Sequence, residues 1–298
     1  MNGSLIDPRQ FQPALPLPDG YTREKILEIL TSVSIDHSAR GDLYGYAFAD
    51  CERFLHTLSL IPEGAGGKLI EIGANPYFTT LLVRRFRPGL SLSLVNYFGA
   101  GVTFGQQQVT FPGFDGVEET FELPFHNVNI EESKLPFADG EFDCMLFCEV
   151  LEHLTNDPVA ALLELKRVIK PDGLLVLTTP NAARLETVVA LLDGRNIYDQ
   201  YSGYGPYGRH NREYTRHELH ALLTHCGFDV EVSYTANVHP DAASSLDPEG
   251  INRLLLATRN REHDLGQYQF TRWRNSRPAE SRLPAWLYRS YPKERMAP

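Results

Sequence analysis

Residues 142–153, FDCMLFCEVLEH, constrain the fold of this chain more than any other stretch. Asp143 to Cys148 is an apolar run of strand length, and Glu149, Glu152 and His153 follow it at i, i+3 and i+4. If a helical turn begins where the strand stops, those three side chains share one face. In an open α/β sheet the point just beyond a strand's carboxyl end is where ligands sit. Two carboxylates and an imidazole converging there point to a site.

The surrounding chain supplies the alternation such a sheet needs. Residues 1–20 are proline-rich and read as an extended arm. Helical patterns follow at Thr22–Val33 and Leu43–Leu60, the second with Phe48, Cys51, Phe54, Leu55 and Leu58 on one stripe. The glycine-rich turn from Pro62 to Gly67 ends this helical preface. Strand-like runs then appear at Lys68–Gly73, Ser91–Tyr97, Phe121–Val128, Asp143–Cys148 and Leu174–Thr179. Helical runs lie between them, most clearly Thr79–Phe86 and Pro158–Ile169, the latter with Asp157 at its N-cap and Pro158 in its first turn. A helix over Ala182–Leu192 is followed by a polar, tyrosine-rich stretch at 194–214, long enough to act as a lid. Thr215 and Glu218 have capping-box spacing before the helix that Gly227 ends, and Phe228–Tyr234 and Asn252–Thr258 read as closing strands. This order predicts a mainly parallel, doubly wound α/β sheet.

Composition excludes several classes. Hydrophobic residues at 42% and charged residues at 22% are ordinary for a globular chain. No apolar run has spanning length, and the N-terminus lacks a basic start and an apolar core, so the expectation is no membrane span and a cytoplasmic location. Cys51, Cys144, Cys148 and Cys226 lack zinc-ribbon spacing and read as reduced thiols. The net charge of −10 argues against nucleic acid as a partner of the whole surface. Residues 259–298 nonetheless carry nine Lys/Arg against four Asp/Glu, and this basic, aromatic tail is expected to dock on the acidic body. The domain reading is an N-terminal arm and helices over 1–64, a main domain over 65–258 with its lid at 194–214, and the tail at 259–298.

The first strand ends in Glu71-Ile-Gly-Ala-Asn-Pro-Tyr-Phe78, a tight turn that lets backbone approach a ligand at a helix N-terminus. Here the sequence resembles class I S-adenosylmethionine-dependent methyltransferases, in which an acidic residue and a glycine-rich turn end the first strand. Residues 142–181 look throughout like the fourth-to-fifth strand region of that superfamily, and the resemblance extends over about 65–235. It implies a Rossmann-like, mainly parallel seven-stranded sheet and S-adenosylmethionine as cofactor. Carried over position by position, it gives Glu71, Gly73, Ala74, Asn75, Asn96, Glu131 and Cys148 as cofactor contacts, with Glu131 meeting the adenine amine. Asn96 is a departure, since the family has a carboxylate there for the ribose hydroxyls, and an amide binds a hydroxyl less strongly.

Glu149-x-x-Glu152-His153 together with His210 is similar to the metal-binding sets of two branches, the small-RNA 2′-O-methyltransferases and the ubiquinone-pathway O-methyltransferases. That similarity implies a magnesium, manganese or zinc ion held by Glu149, Glu152, His153 and His210. Its role would be to lower the pKa of an acceptor hydroxyl and orient it, with His153 and Glu149 as the catalytic pair. The expected acceptor is a small polyhydroxylated or saccharide molecule. RNA 2′-O-methylation and a non-catalytic binding subunit are the competing readings.

Overall fold

The protein is described here by a computed structural model covering residues 13–36, 38–201, 203, 205–239, 250, 264–288 and 293–297. Two helices open it, α1 (Arg23–Thr31) and α2 (Arg40–Leu60), with the two-residue strand β1 (Ser34–Ile35) between them. Thr22 caps α1 by accepting a hydrogen bond from the Lys25 amide. The α/β alternation then runs β2 (Gly67–Ile72), α3 (Phe78–Phe86), β3 (Leu90–Asn96), β4 (Gln106–Phe111), β5 (Glu119–Pro124), β6 (His126–Asn127) and β7 (Phe142–Cys148). It continues through α4 (Pro158–Val168), β8 (Ile169–Pro180), α5 (Leu185–Leu192), α6 (Arg216–His225), β9 (Phe228–Ala236) and β10 (Tyr268–Asn275), and a short pair, β11 (Leu283–Pro284) and β12 (Met296–Ala297), follows.

The main sheet has seven strands in the order β6-β3-β2-β7-β8-β10-β9. The strands from β6 to β8 are parallel neighbours, and β10 runs antiparallel to both β8 and β9. Strand order reverses between β2 and β7, so the crevice beyond their carboxyl ends is the switch point where such sheets bind ligands. Alternate side chains feed two cores. Leu69, Leu94, Leu146 and Val176 pack against α1, α2 and α3, whereas Ile70, Val95, Phe147 and Leu177 pack against α4 and α6.

Local signals worked where they were short-range. Asp157 accepts from the Ala160 amide at the start of α4, and Thr215 and Glu218 form the reciprocal capping box of α6. Gly227, at φ +84°, ends that helix.

Several expectations are corrected. The run Phe121–Val128 is split: its first part is β5, in a separate antiparallel sheet β1-β4-β5, and only β6 joins the main sheet. The helix expected from Ala182 begins at Leu185. Phe48, placed in the buried stripe of α2, is 56% exposed and stacks on Tyr44. The strand expected at Asn252–Thr258 lies outside the described residues. The stretch read as a tail supplies β10, which lies inside the sheet between β8 and the edge strand β9. Its charge misled because Arg272 and Arg274 both pair with Glu231 on neighbouring β9. Among the described residues, no helix is long and apolar enough to cross a membrane.

Candidate active site

Gly73 leaves β2 at φ +75°, and a Cβ there would stand 2.7 Å from Val150 Cγ2. The turn therefore requires glycine for both its backbone angle and its clearance. Asn96, at the end of β3, fixes this turn: its Oδ1 accepts from the Asn75 amide at 2.8 Å, and its Nδ2 donates to the Tyr77 hydroxyl at 3.0 Å. Both ends of the Asn96 amide are thus used inside the protein. Asn96 therefore braces the turn and also lines the crevice beside it. Gly73→Ala is expected to lower the melting temperature, measured by thermal unfolding, since the strained φ alone costs about 1–2 kcal/mol.

Beside the turn lies a crevice of about 240 Å³. Gly73, Asn75 and Asn96 line it from β2 and β3; Tyr97, Val128, Asn129 and Ile130 line its far side. Glu149, Val150, His153 and Leu154 form the wall from the end of β7. Glu71, Ala74 and Cys148 border a much smaller cavity that shares Gly73 and Asn75. Burial pushes the Glu71 carboxyl up to about 7 and raises the Cys148 thiol well above its usual range. Glu131 does not reach the crevice. Its carboxylate accepts from the backbone amides of Thr155, Asn156 and Asp157 and from the Thr155 hydroxyl, and so ties down the loop before α4. Its neighbours Asn129 and Ile130 face the crevice instead.

After β7 the chain does not enter an α-helix. Glu149 takes a left-handed φ of +55°, and a 3-10 turn follows at Leu151–His153. Strain of this kind, on the order of 1–3 kcal/mol, is held where surrounding structure over-determines it. The two carboxylates find different partners. Thr178 donates to Glu149 Oε1 at 2.8 Å, and Arg53 Nη1 stands 3.8 Å from the same oxygen. Burial raises Glu149 to about 7 against the pull of that guanidinium. Glu152 is completely buried. Thr179 donates to its Oε2 at 2.9 Å, while its Oε1 has no hydrogen-bond partner. Leaving such an oxygen bare costs about 1–3 kcal/mol, and burial holds the Glu152 carboxyl above its ordinary value.

His153 and His210 meet at that bare oxygen. One ligand atom from each of Glu152, His153 and His210 lies within 4.8 Å of the others, and the imidazole centroids are 5.1 Å apart. His153 Nδ1 lies 2.9 Å from the Arg209 carbonyl oxygen. A carbonyl only accepts, so Nδ1 carries the proton and Nε2 presents its lone pair. His210 Nδ1 likewise faces Glu213 Oε1 at 2.9 Å, and Arg184 holds the second oxygen of that carboxylate. Two imidazoles, each with Nδ1 bound to an oxygen and Nε2 free, present the usual dressing of metal-binding histidines. Burial and the neighbouring His210 lower His153. Burial would also lower His210, but Glu213, Glu152 and Asp199 outweigh it and raise the group. Glu149, expected in this set, stands outside it.

Asn211 ties the stretch before α6 to the site. The Asn211 amide donates to the Glu152 carbonyl at 2.7 Å, and its side chain donates to the His153 carbonyl. Tyr207 lines the crevice, where Asn129 donates to its hydroxyl and Tyr97 meets its ring edge-on. Tyr198 and Tyr201 point to solvent, and Tyr204 lies outside the described residues.

Sequence reasoning missed Arg53. It is buried on α2, bonded to Asp50 and to the Tyr46 hydroxyl, and lies over the rings of Tyr46, Phe54 and Tyr268. Its signal was present: Asp50 and Arg53 form an i,i+3 charge pair inside an otherwise apolar stripe. Thr178, Thr179, Glu213 and Arg184 were also missed, and carry no local signature.

A methyltransferase-domain family matches residues 44–232. Over 40 residues the chain is 62% identical to an uncharacterized methyltransferase of Schizosaccharomyces pombe, covering 13% of this chain and 14% of that one. Over 149 residues it is 30% identical to an uncharacterized 37.1 kDa protein of a Streptomyces fradiae transposon, covering 48% of this chain and 39% of that protein. The chain thus aligns with less than half the length of either curated relative. Among solved structures it is similar to an S-adenosylmethionine-dependent methyltransferase from Thermotoga maritima, with a TM-score of 0.47, 16% identity, and coverage of 79% of this chain and 95% of that one. For another from Archaeoglobus fulgidus the TM-score is 0.45 at 15% identity, over 71% and 87%. The matched domain takes up more than half of the sequence, and the chain belongs to the methyltransferase-domain family.

Proposed function

We propose that this protein methylates a hydroxyl oxygen of a small polyhydroxylated or saccharide acceptor, with a divalent cation held by Glu152, His153 and His210. The observation that carries this reading is the fully buried Glu152 oxygen without a partner, faced by two imidazoles whose bare Nε2 atoms are available as ligands. One carboxylate and two imidazoles suit manganese or zinc, and magnesium less well.

The strand-end crevice fits the donor. The backbone of Gly73 to Asn75 and the buried Glu71 would hold its polar end, and Val128, Ile130 and Leu154 form an apolar slot beside Tyr97. Bound S-adenosylmethionine supplies an electrophilic methyl group. A bound cation supplies positive charge that lowers the pKa of the acceptor hydroxyl. The chain does the rest by placement. Thr179 orients Glu152, the Arg209 carbonyl and Glu213 orient the two imidazoles, and Glu149 faces the donor crevice from the strand end.

RNA is disfavoured as acceptor. In the basic C-terminal stretch, Arg272, Arg274 and Arg277 pair with Glu231 and Asp229, so these charges are matched within the fold.

The test is metal removal. Protein treated with a chelator should lose methyl transfer at least a hundredfold and recover it with manganese, while S-adenosylhomocysteine binding by calorimetry stays unchanged. Full activity after verified removal of all divalent metal would reject the cation.

A further inference from the structure

Gln107 is buried and lines neither the donor crevice nor the small cavity beside it, yet its side chain ties the turn after β2 to the N-terminal helices. It sits on β4, in the small antiparallel sheet β1-β4-β5. Its Oε1 accepts from Asn75 Nδ2 at 3.1 Å and from the Tyr77 hydroxyl at 2.8 Å. Its Nε2 donates to the Asp36 carbonyl at 3.0 Å. Asp36 follows β1 in the connection between α1 and α2, where its amide donates to the Gln108 carbonyl and its carboxylate accepts from the Gln108 amide.

Backbone groups at the two ends fix the direction of every bond in this chain. The Asn75 amide only donates, so Asn96 meets it with Oδ1 and turns Nδ2 to the Tyr77 oxygen. The Tyr77 proton is then left for Gln107 Oε1. The Asp36 carbonyl only accepts, which sets Gln107 Nε2 toward it and Oε1 toward the turn. The turn needs such a hold. Gly73 at φ +75° and Tyr77 at φ +66° both take left-handed angles, and a tyrosine resists that conformation unless its surroundings impose it. Asn75 is held at its backbone amide by Asn96 and at its side chain by Gln107, and it carries this hold to the crevice wall.

We propose that Gln107 is a positioning residue of the donor site. By fastening the Asn75 and Tyr77 side chains to the α1–α2 connection, it keeps the Gly73–Tyr77 turn in its donor-binding shape and so sets donor affinity. The proposal rests on the reading that the methyl donor sits at this turn. Gln107 touches no reacting atom. Without it the turn holds its binding shape only part of the time, and donor affinity falls by that fraction.

The experiment titrates S-adenosylhomocysteine calorimetrically into the full chain, at a temperature where far-UV circular dichroism shows each variant folded. Gln107→Met keeps the bulk without the amide and should weaken binding about tenfold or more, in line with the loss of its hydrogen bonds. Tyr77→Phe removes only the shared hydroxyl and should weaken it about threefold or more. Because both changes break one network, the double variant should lose less than the product of the two single losses. Val168→Ala, in the core on the α4–α6 face, also lowers the melting temperature but should leave the affinity within about twofold. The positioning role is overturned, while methyl transfer stands, if Gln107→Met binds as tightly as the unaltered chain. It is equally overturned if the two losses multiply, or if Val168→Ala weakens binding as much. If the unaltered chain does not bind S-adenosylhomocysteine, the methyl-transfer reading fails and takes this assignment with it.

Discussion

Replacing His153 with alanine is expected to cut methyl transfer by about a hundred- to ten-thousandfold while leaving S-adenosylhomocysteine affinity within about threefold. The size follows from what the imidazole does. Its Nε2 is one of three ligand atoms gathered at the buried Glu152 oxygen, and the fold has already oriented it through the Arg209 carbonyl. Donor binding should survive because His153 is one residue of the crevice wall, and the turn at Gly73 with the slot of Val128 and Ile130 stays in place. Glu152→Gln is the matched control. It preserves shape and the Thr179 contact but removes the carboxylate charge, so it should cost at least as much activity, and binding of manganese should fall at least tenfold. Single-turnover kinetics and a metal titration on both variants check this. If His153→Ala retains full turnover, the cluster has no part in the reaction.

The second large effect concerns stability. Trp273→Ala should destabilise the protein by about 3–5 kcal/mol, which is comparable to the whole folding free energy of a marginal domain. Trp273 is fully buried in β10, between β8 and β9, and packs with Phe228, Leu222 and Leu177 in the core on the α4–α6 face. Denaturant unfolding followed by far-UV circular dichroism measures the loss. A chain ending before Tyr268 would leave β8 and β9 without the strand that joins them, and should not give a cooperative transition. Either form unfolding like the intact chain would contradict the role of β10 as the strand that joins β8 and β9.

These two expectations differ in how far the sequence foreshadows them. The candidate cluster is written almost locally. Glu152 and His153 are adjacent, they follow a strand of recognisable length, and His210 precedes a capping box. Strand ends, caps and turns depend on residues a few positions apart, so the sheet's parallel half and the approximate site could be read before any coordinates. β10 could not. Its arginines look like a solvated tail until Glu231 is seen beside them, and that neighbour lies about forty residues away in sequence.

The same division holds inside the site. The sequence by itself determined which residue types stand at the end of β7 and that a glycine turn opens the crevice at β2, because both follow from short-range backbone geometry. Only the tertiary structure decided how each polar group is used. It turned Glu149 toward Thr178 and Arg53, committed both ends of the Asn96 amide to the Gly73–Tyr77 turn, and bound Glu131 to the loop before α4. It also left one oxygen of Glu152 and one of Glu186 without a donor. A buried polar group must find partners wherever the fold brings them, and those partners come from distant parts of the chain, so no local pattern announces which groups are satisfied and which remain open.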